Sequence, residues 1–252
     1  MDRIAFKSIV ISDVHLGSPH SKLVEVTKFL SMVNCERLIM AGDIIDGWQL
    51  KSEEDKWTLE ESMFFQVIMK MMEKMGTEVI YVTGNHDDFL FPIVPCELFK
   101  IKIVSEYIIE DFGKRFVVIH GHAFDAVTMH FRWLSKLGAI GYNFLLRFNQ
   151  VWNKSRERSG KGKFSLSKYI KYGVKKAVNI ISGFESDLDS FARSLKCSGV
   201  ICGHIHHPED KILKHGTHYL NSGDWVESMT ALGEDFDGNW RVLRYKDMVN
   251  IQ

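Results

Sequence analysis

The chain alternates short, almost wholly apolar runs with longer stretches whose apolar positions recur every three or four residues. Ser8-Ile9-Val10-Ile11-Ser12, Arg37-Leu38-Ile39-Met40 and Val79-Ile80-Tyr81-Val82 read as strands buried on both faces. Between the first two, Leu23, Val26, Phe29, Leu30 and Val33 fall on one side of a helix. Between the second and third, the pattern predicts a longer helix, roughly Thr58 to Met75, opened by Thr58 and Glu61 at capping-box spacing. This order implies βαβ units and a largely parallel sheet. Further strands are expected around Ile103–Glu110 and Phe116–Ile119, on either side of a turn at Gly113-Lys114. From about Ala126 to Lys196 the pattern is helical throughout. Gly199-Val200-Ile201-Cys202 is then another buried strand, and short strands follow near His218–Leu220, Ser228–Leu232 and Trp240–Tyr245, with a turn at Asp237-Gly238. The expected layout is an α/β core over residues 1–125 and 197–252, interrupted by a helical insertion over 126–196.

Composition narrows the class. With 252 residues, 45% of them hydrophobic and 25% charged, the chain can bury a core without disulfides or a structural metal. A bound metal would therefore serve chemistry rather than folding. The 32 basic and 32 acidic residues cancel, so no global field argues for nucleic acid. Cys35, Cys96, Cys197 and Cys202 form no C-x-x-C pair and read as core thiols in a reducing compartment. Met1 to Lys7 contain no long apolar segment, and no stretch approaches the roughly 20 apolar residues that span a bilayer. A cytoplasmic protein, soluble or peripheral to a membrane, is expected.

Five motifs carry candidate chemistry, and each follows an expected strand: Asp13-x-His15, Gly42-Asp43, Gly84-Asn85-His86-Asp87, His120-Gly121-His122 and Gly203-His204-Ile205-His206. In an open α/β sheet, groups at the carboxyl ends of strands can converge on one site. Carboxylate, imidazole and amide oxygen suit Mn, Fe, Zn or Mg, and no cysteine joins the set. Two ions roughly 3.5–4 Å apart need a shared anionic ligand, a position that Asp43 on its tight glycine turn can fill. The glycines before Asp43, Asn85 and His204 let the backbone turn sharply and approach closely.

Taken together and in this order, the motifs resemble those of the calcineurin-like metallophosphoesterase superfamily. The resemblance implies a four-layer α/β/β/α sandwich with a helical cap insertion. It implies one metal held by Asp13, His15, Asp43 and His206, and a second held by Asp43, Asn85, His120 and His204. His86, with Asn85 beside it, would be catalytic, the imidazole approaching the scissile phosphate or the leaving group. Trp48 in Gly42-Asp43-Ile44-Ile45-Asp46-Gly47-Trp48, the His120-Gly121 step, the helical insertion and the ending Gly203-His204-Ile205-His206-His207-Pro208 also resemble the UDP-2,3-diacylglucosamine hydrolase group, which cleaves a nucleotide-linked lipid pyrophosphate during lipid A synthesis. The expected activity is hydrolysis by a hydroxide that two divalent ions, manganese first, generate at neutral pH. A phosphomonoesterase or phosphodiesterase acting on a soluble, nucleotide-like substrate is the alternative. A scaffold without catalysis would have lost ligands, and none is missing; a nuclease would want a longer basic track.

Other residues carry two readings. Asp46 and Asp87 either orient ligand imidazoles or cap the following helix. Asn221 either faces the site or merely ends a strand. His122 and His207 are either supporting groups or neighbours, while His20, His130, His215 and His218 belong to no motif. Met69, Met71, Met72 and Met75 read as core filler. The insertion joins an aromatic stretch that includes Phe144 and Phe148 to a basic one that includes Lys161, Lys163, Lys168 and Lys171. These form either a self-contained lid with a solvated face, or an acyl groove whose lysines hold phosphates or an anionic membrane surface.

Overall fold

The computed structural model describes residues 3–51, 57–124 and 182–250. The chain divides into two compact units, one formed by Met1–His122 and Leu188–Gln252 and the other by Ala123–Asp187. Phe144, Phe148, Lys161, Lys163, Lys168 and Lys171 lie outside the described residues, as does most of the expected helical insertion.

Among the described residues of the first unit, twelve strands form two sheets. They are β1 (Ile4–Ile11), β2 (Val33–Ala41), β3 (Glu78–Val82), β4 (Cys96–Leu98), β5 (Ile101–Val104), β6 (Tyr107–Asp111), β7 (Lys114–Val118), β8 (Gly199–Cys202), β9 (Glu209–Ile212), β10 (His218–Asn221), β11 (Thr230–Glu234) and β12 (Trp240–Arg244). The seven-stranded sheet runs β12-β11-β1-β2-β3-β5-β4 and the five-stranded sheet β6-β7-β8-β10-β9. β1, β2, β3 and β5 are parallel neighbours, as are β7, β8 and β10. Helices α1 (Leu23–Met32) and α3 (Leu59–Met75) flank the seven-stranded sheet. The one-turn α2 (Gly47–Leu50), a helix α4 over 182–194 and the short α5 (Tyr245–Val249) complete the described α-helices.

Strand periodicity explains why the runs are continuously apolar. Ile9, Ile11, Leu38, Met40, Val79 and Tyr81 point to one face of the sheet and pack with Val26, Phe29 and Leu30 of α1 and Phe64, Ile68 and Met71 of α3. The alternate residues Val10, Ile39, Ala41, Ile80 and Val82 point to the other face and meet Ile109, Phe116, Val118, Ile201 and Leu220 of the second sheet. Both faces are buried, so no polar alternation survives. Asp189 of α4 accepts hydrogen bonds from Thr217 Oγ1 (2.5 Å) and His215 Nδ1 (2.5 Å), which ties the helix to the turn between β9 and β10. The result is the expected α/β/β/α layering.

Several expectations change in detail. The run around Ile103–Glu110 is not one strand: β5 and β6 lie in different sheets, and the chain crosses between them at Ser105-Glu106. A continuous apolar run does not reveal which sheet each half joins. Val33, read as helical, opens β2 and stays fully buried. Met71 is core, whereas Met69 is half exposed. All four cysteines are free thiols, three of them buried. Among the described residues no helix is long and apolar enough to cross a membrane.

At the start of α3 the capping box is complete: Thr58 Oγ1 accepts from Glu60 N (3.2 Å) and Glu61 returns a carboxylate to Thr58 N (2.8 Å). Thr58→Ala should cost about 1 kcal/mol of unfolding free energy, read from the denaturant midpoint. An unchanged midpoint would show that the packed face alone holds this helix end.

Candidate metal centre and active site

The motif residues begin one or two positions beyond β1, β2, β3, β7 and β8, at the carboxyl ends of parallel strands. The loops after β1 and β2 run together, with Asp13 N donating to Gly42 O (3.0 Å), His15 N to Asp43 O (3.0 Å) and Leu16 N to Ile44 O (2.8 Å). In the second sheet Gly203 N donates to His120 O (3.2 Å). Asp13, His15, Asp43, His204 and His206 all adopt left-handed backbone, with φ of 51°, 54°, 52°, 66° and 54°. Non-glycine residues seldom occupy this region, and Asp and His tolerate it better than most. Two glycines make the close approach possible. A Cβ on Gly84 would collide with Asp43 Oδ1 and its backbone nitrogen, and one on Gly203 would collide with Ser12 Oγ and Asp13 Oδ2.

The side chains gather into three overlapping groups: Asp13, His15 and His206; His15, Asp43 and His86; and Asp43, His120 and His204. Within each, the donor atoms lie within 4.8 Å of one another. His206 Nε2 is 2.9 Å from Asp13 Oδ1, and His15 Nε2 is 3.9 Å from that oxygen and 3.8 Å from Asp43 Oδ2. On the other side of Asp43, Oδ2 is 3.2 Å from His120 Nε2, which is itself 3.3 Å from His204 Nδ1. His120 Nδ1 donates to Ala41 O (2.9 Å), which turns Nε2 inward.

The donor set fits a pair of divalent cations. Asp43 Oδ2, His15 Nε2 and Asn85 Oδ1 are buried and make no hydrogen bond of acceptable geometry, although Asp43 Oδ2 has an imidazole nitrogen near it. Buried polar atoms in this state are costly unless something charged sits among them. Oxygen and imidazole donors without thiolate suit Mn, Fe, Zn or Mg.

Electrostatics follow the same pattern. Burial alone would raise the Asp43 carboxyl, but His120 outweighs it and holds the group at about 2. Burial would lower His120, but Asp43, then Asp13 and the Ala41 carbonyl, push it up to about 9. Asp13 is held well below the usual carboxylate range: His206 overcomes the burial that would raise it. His122 moves the other way, down to about 4, through burial and then through the neighbouring His120 and His204.

Asp46 fills both of its alternative roles. Its Oδ1 accepts from Gln49 N (3.1 Å), capping α2, and lies 3.0 Å from His86 Nδ1, while Oδ2 is 3.5 Å from His15 Nδ1. Burial would raise its carboxyl, and the bonds from His15 and His86 drive it well below the usual range. Asp87 fills neither. It is fully buried and braces the loop, accepting from Gly84 N (3.0 Å), Ile45 N (3.0 Å) and Tyr81 Oη (2.6 Å). Asn221 is also buried, and joins two turns through Nδ2 to Gly203 O (2.8 Å) and Gly223 N to Oδ1 (2.9 Å). His207 is exposed, and His218 pairs with Asp210 (2.7 Å).

Sequence reasoning missed two further participants. Ser12 Oγ donates to Asp13 Oδ2 (2.6 Å) and contacts Ser222 Oγ (2.7 Å). Trp48 packs against His86, with ring centroids 3.9 Å apart and planes tilted by 34°. A serine before a motif aspartate carries no distinctive signal, and Trp48 was visible only as part of the motif after Asp43.

Comparison with known proteins adds a family. Residues 6–208 match the calcineurin-like phosphoesterase family, and no curated protein matches the chain at a significant level. Similar solved structures include a predicted phosphoesterase from Streptococcus pneumoniae, at 15% identity over 96% of this chain and 90% of that one, with a TM-score of 0.41. An archaeal phosphodiesterase aligns at 15% identity over 94% and 98%, with a TM-score of 0.46. The phosphoesterase Yfce of E. coli aligns at 11% over 94% and 98%, with a TM-score of 0.41.

The charge balance gives a pH test. In the metal-free protein, the stability that His120 gains by moving from 6.5 to about 9 is fully present below 6.5 and lost as pH rises through about 9. That of Asp43, moving from 3.8 to about 2, is present above 3.8 and lost as pH falls through about 2. A metal held by the Asp43, His120 and His204 group would have to displace the proton from His120 Nε2, and the rise in melting temperature on adding Mn or Zn should then grow from pH 6 to pH 9. A rise independent of pH would contradict this placement of His120.

Proposed function

The chain belongs to the calcineurin-like phosphoesterase family, and on that premise we propose that it hydrolyses a phosphoester or pyrophosphate bond with two divalent ions bound at its strand ends. The observation that carries the reading is the pair of carboxylate–imidazole clusters joined through Asp43. We assign Asp13, His15, Asp43 and His206 to one ion, and Asp43, Asn85, His120 and His204 to the other. Manganese is proposed for both, on the oxygen and imidazole donors alone.

Divalent ions held by these residues would supply a Lewis acid for water activation and positive charge for the phosphoryl oxygens. The protein's own groups do the rest. His86 N donates to Asp43 Oδ1 (2.8 Å), which holds the shared carboxylate with Oδ2 turned into the site. His86 Nδ1 is committed to Asp46 (3.0 Å), so Nε2 is the atom left to give a proton to the leaving oxygen. Asn85 supplies an amide oxygen beside it, and Ser12 and His204 N fix Asp13 through Oδ2.

For the substrate we propose a nucleotide-linked lipid pyrophosphate of the UDP-2,3-diacylglucosamine type. Motif resemblance across Asp13 to His206 supports it, as does the exposed ring of Phe91 against His122. Contact with an anionic membrane surface through Lys161, Lys163, Lys168 and Lys171 is proposed from their charge alone. A second reading, hydrolysis of a soluble phosphomonoester or diester, is favoured by His86 itself. A dedicated proton donor matters most to an ester whose leaving oxygen is strongly basic.

Asp43→Ala should lower turnover by about a thousandfold or more, because both ions lose their shared anion, while circular dichroism stays native. Two bound ions and near-normal activity in that variant would overturn the assignment. His86→Ala should keep both ions and lose about 10²–10⁴ in rate, with alkyl esters hit harder than nitrophenyl esters. Equal losses across the two would remove the proton-donor role. Assay of the Mn-loaded chain against a UDP-linked diacylglucosamine and a nitrophenyl phosphate separates the two substrate readings.

A further inference from the structure

His86 is held by a hydrogen bond at its edge and by contacts with two other rings. At the edge, Nδ1 meets Asp46 Oδ1 at 3.0 Å. Against one face lies the indole of Trp48, with centroids 3.9 Å apart and planes 34° from parallel. His15 also abuts the ring, edge to face, at 4.6 Å and 89°. A hydrogen bond fixes the position of Nδ1 but leaves the ring free to rotate about that axis. A flat partner removes that rotation and so decides where Nε2 points.

Trp48 is itself anchored. Its Nε1 donates to Asp88 Oδ2 (3.2 Å), and Asp88 Oδ1 lies 3.6 Å from Lys51 Nζ. Asp46 caps α2, the turn that carries Trp48, and Gly47 N donates to His86 O (3.0 Å). The carboxylate and the indole that hold one imidazole are therefore two residues apart on a single turn. Trp48 keeps 43% of its surface exposed.

We propose that Trp48 is a positioning residue: its indole sets the plane of the His86 ring, so that Nε2 is aimed at the leaving oxygen. The inference rests on the reading of His86 as proton donor, and it concerns the rate of proton transfer rather than the binding of substrate. Ring stacking also makes it visible without any turnover, because a proton over an aromatic face resonates upfield of its ordinary position.

Histidine ring signals of the metal-free, full-length chain, with His86 assigned from His86→Asn, form the first arm of the test. The His86 signal should be displaced upfield in the wild type and return toward its ordinary position in Trp48→Leu. Trp48→Phe should keep most of the displacement, and the His120 and His204 signals should stay in place. In the second arm, Mn-loaded Trp48→Leu should lose about 10–100-fold in kcat on an alkyl phosphoester, the scale of a small misplacement of a reacting group. The loss on a nitrophenyl ester should be much smaller, KM should stay within about twofold, Trp48→Phe should restore most of the rate, and Trp48→Leu should add nothing to His86→Ala. A loss confined to KM, equal losses on both esters, or losses that multiply in the double variant would overturn the proposal. A chain that hydrolyses no phosphoester sinks the parent reading and the catalytic role of Trp48 with it. An active chain whose His86 signal is unshifted sinks the present inference alone.

Discussion

Asp13 and Asp43 have no solvent contact, and a carboxylate taken out of water costs several kcal/mol unless positive charge reaches it. The geometry around the strand ends answers that demand. His206 and His15 approach Asp13, and His15, His86 and His120 approach Asp43 within 3.9 Å. Imidazoles alone satisfy the demand only while they are protonated. A pair of divalent ions would satisfy it at any pH at which the histidines are neutral, and would also meet Asp43 Oδ2, His15 Nε2 and Asn85 Oδ1, which lack a well-formed hydrogen bond.

This arrangement explains features that otherwise look unfavourable. Left-handed backbone at a non-glycine residue costs about 1–3 kcal/mol and persists only where the surroundings enforce it. Five of the residues that line the clusters adopt it. The loops after β1 and β2 exchange backbone hydrogen bonds, Asp87 ties its loop to Ile45, and Asn221 ties Gly203 to the turn after β10. Two sheets with continuous apolar faces supply the rigid base, so the strain is concentrated where the ligands must converge.

How much of this the sequence discloses depends on whether a feature is local. The Asp-x-His, Gly-Asp and Gly-His-x-His motifs announce both their chemistry and their place after a strand, and the capping box at Thr58 marks the start of α3. Strands β4 and β9 were missed because they are short, edge-placed and largely polar or exposed. The break between β5 and β6 was missed because one apolar run serves two sheets. Asp46 and Asp87 were indistinguishable on paper, since either could cap or brace. Only the fold brings Asp46 to two imidazoles and turns Asp87 toward Tyr81 and Ile45. The stacking of Trp48 on His86 joins residues 38 positions apart in sequence, a distance no local pattern bridges.

The most direct test is anomalous scattering from crystals of the full chain grown with manganese. Two peaks roughly 3.5–4 Å apart are expected. Asp43 should lie between them, Asp13, His15 and His206 around one, and Asn85, His120 and His204 around the other. A single ion, or a pair that leaves Asp43 without a metal contact, would contradict the account.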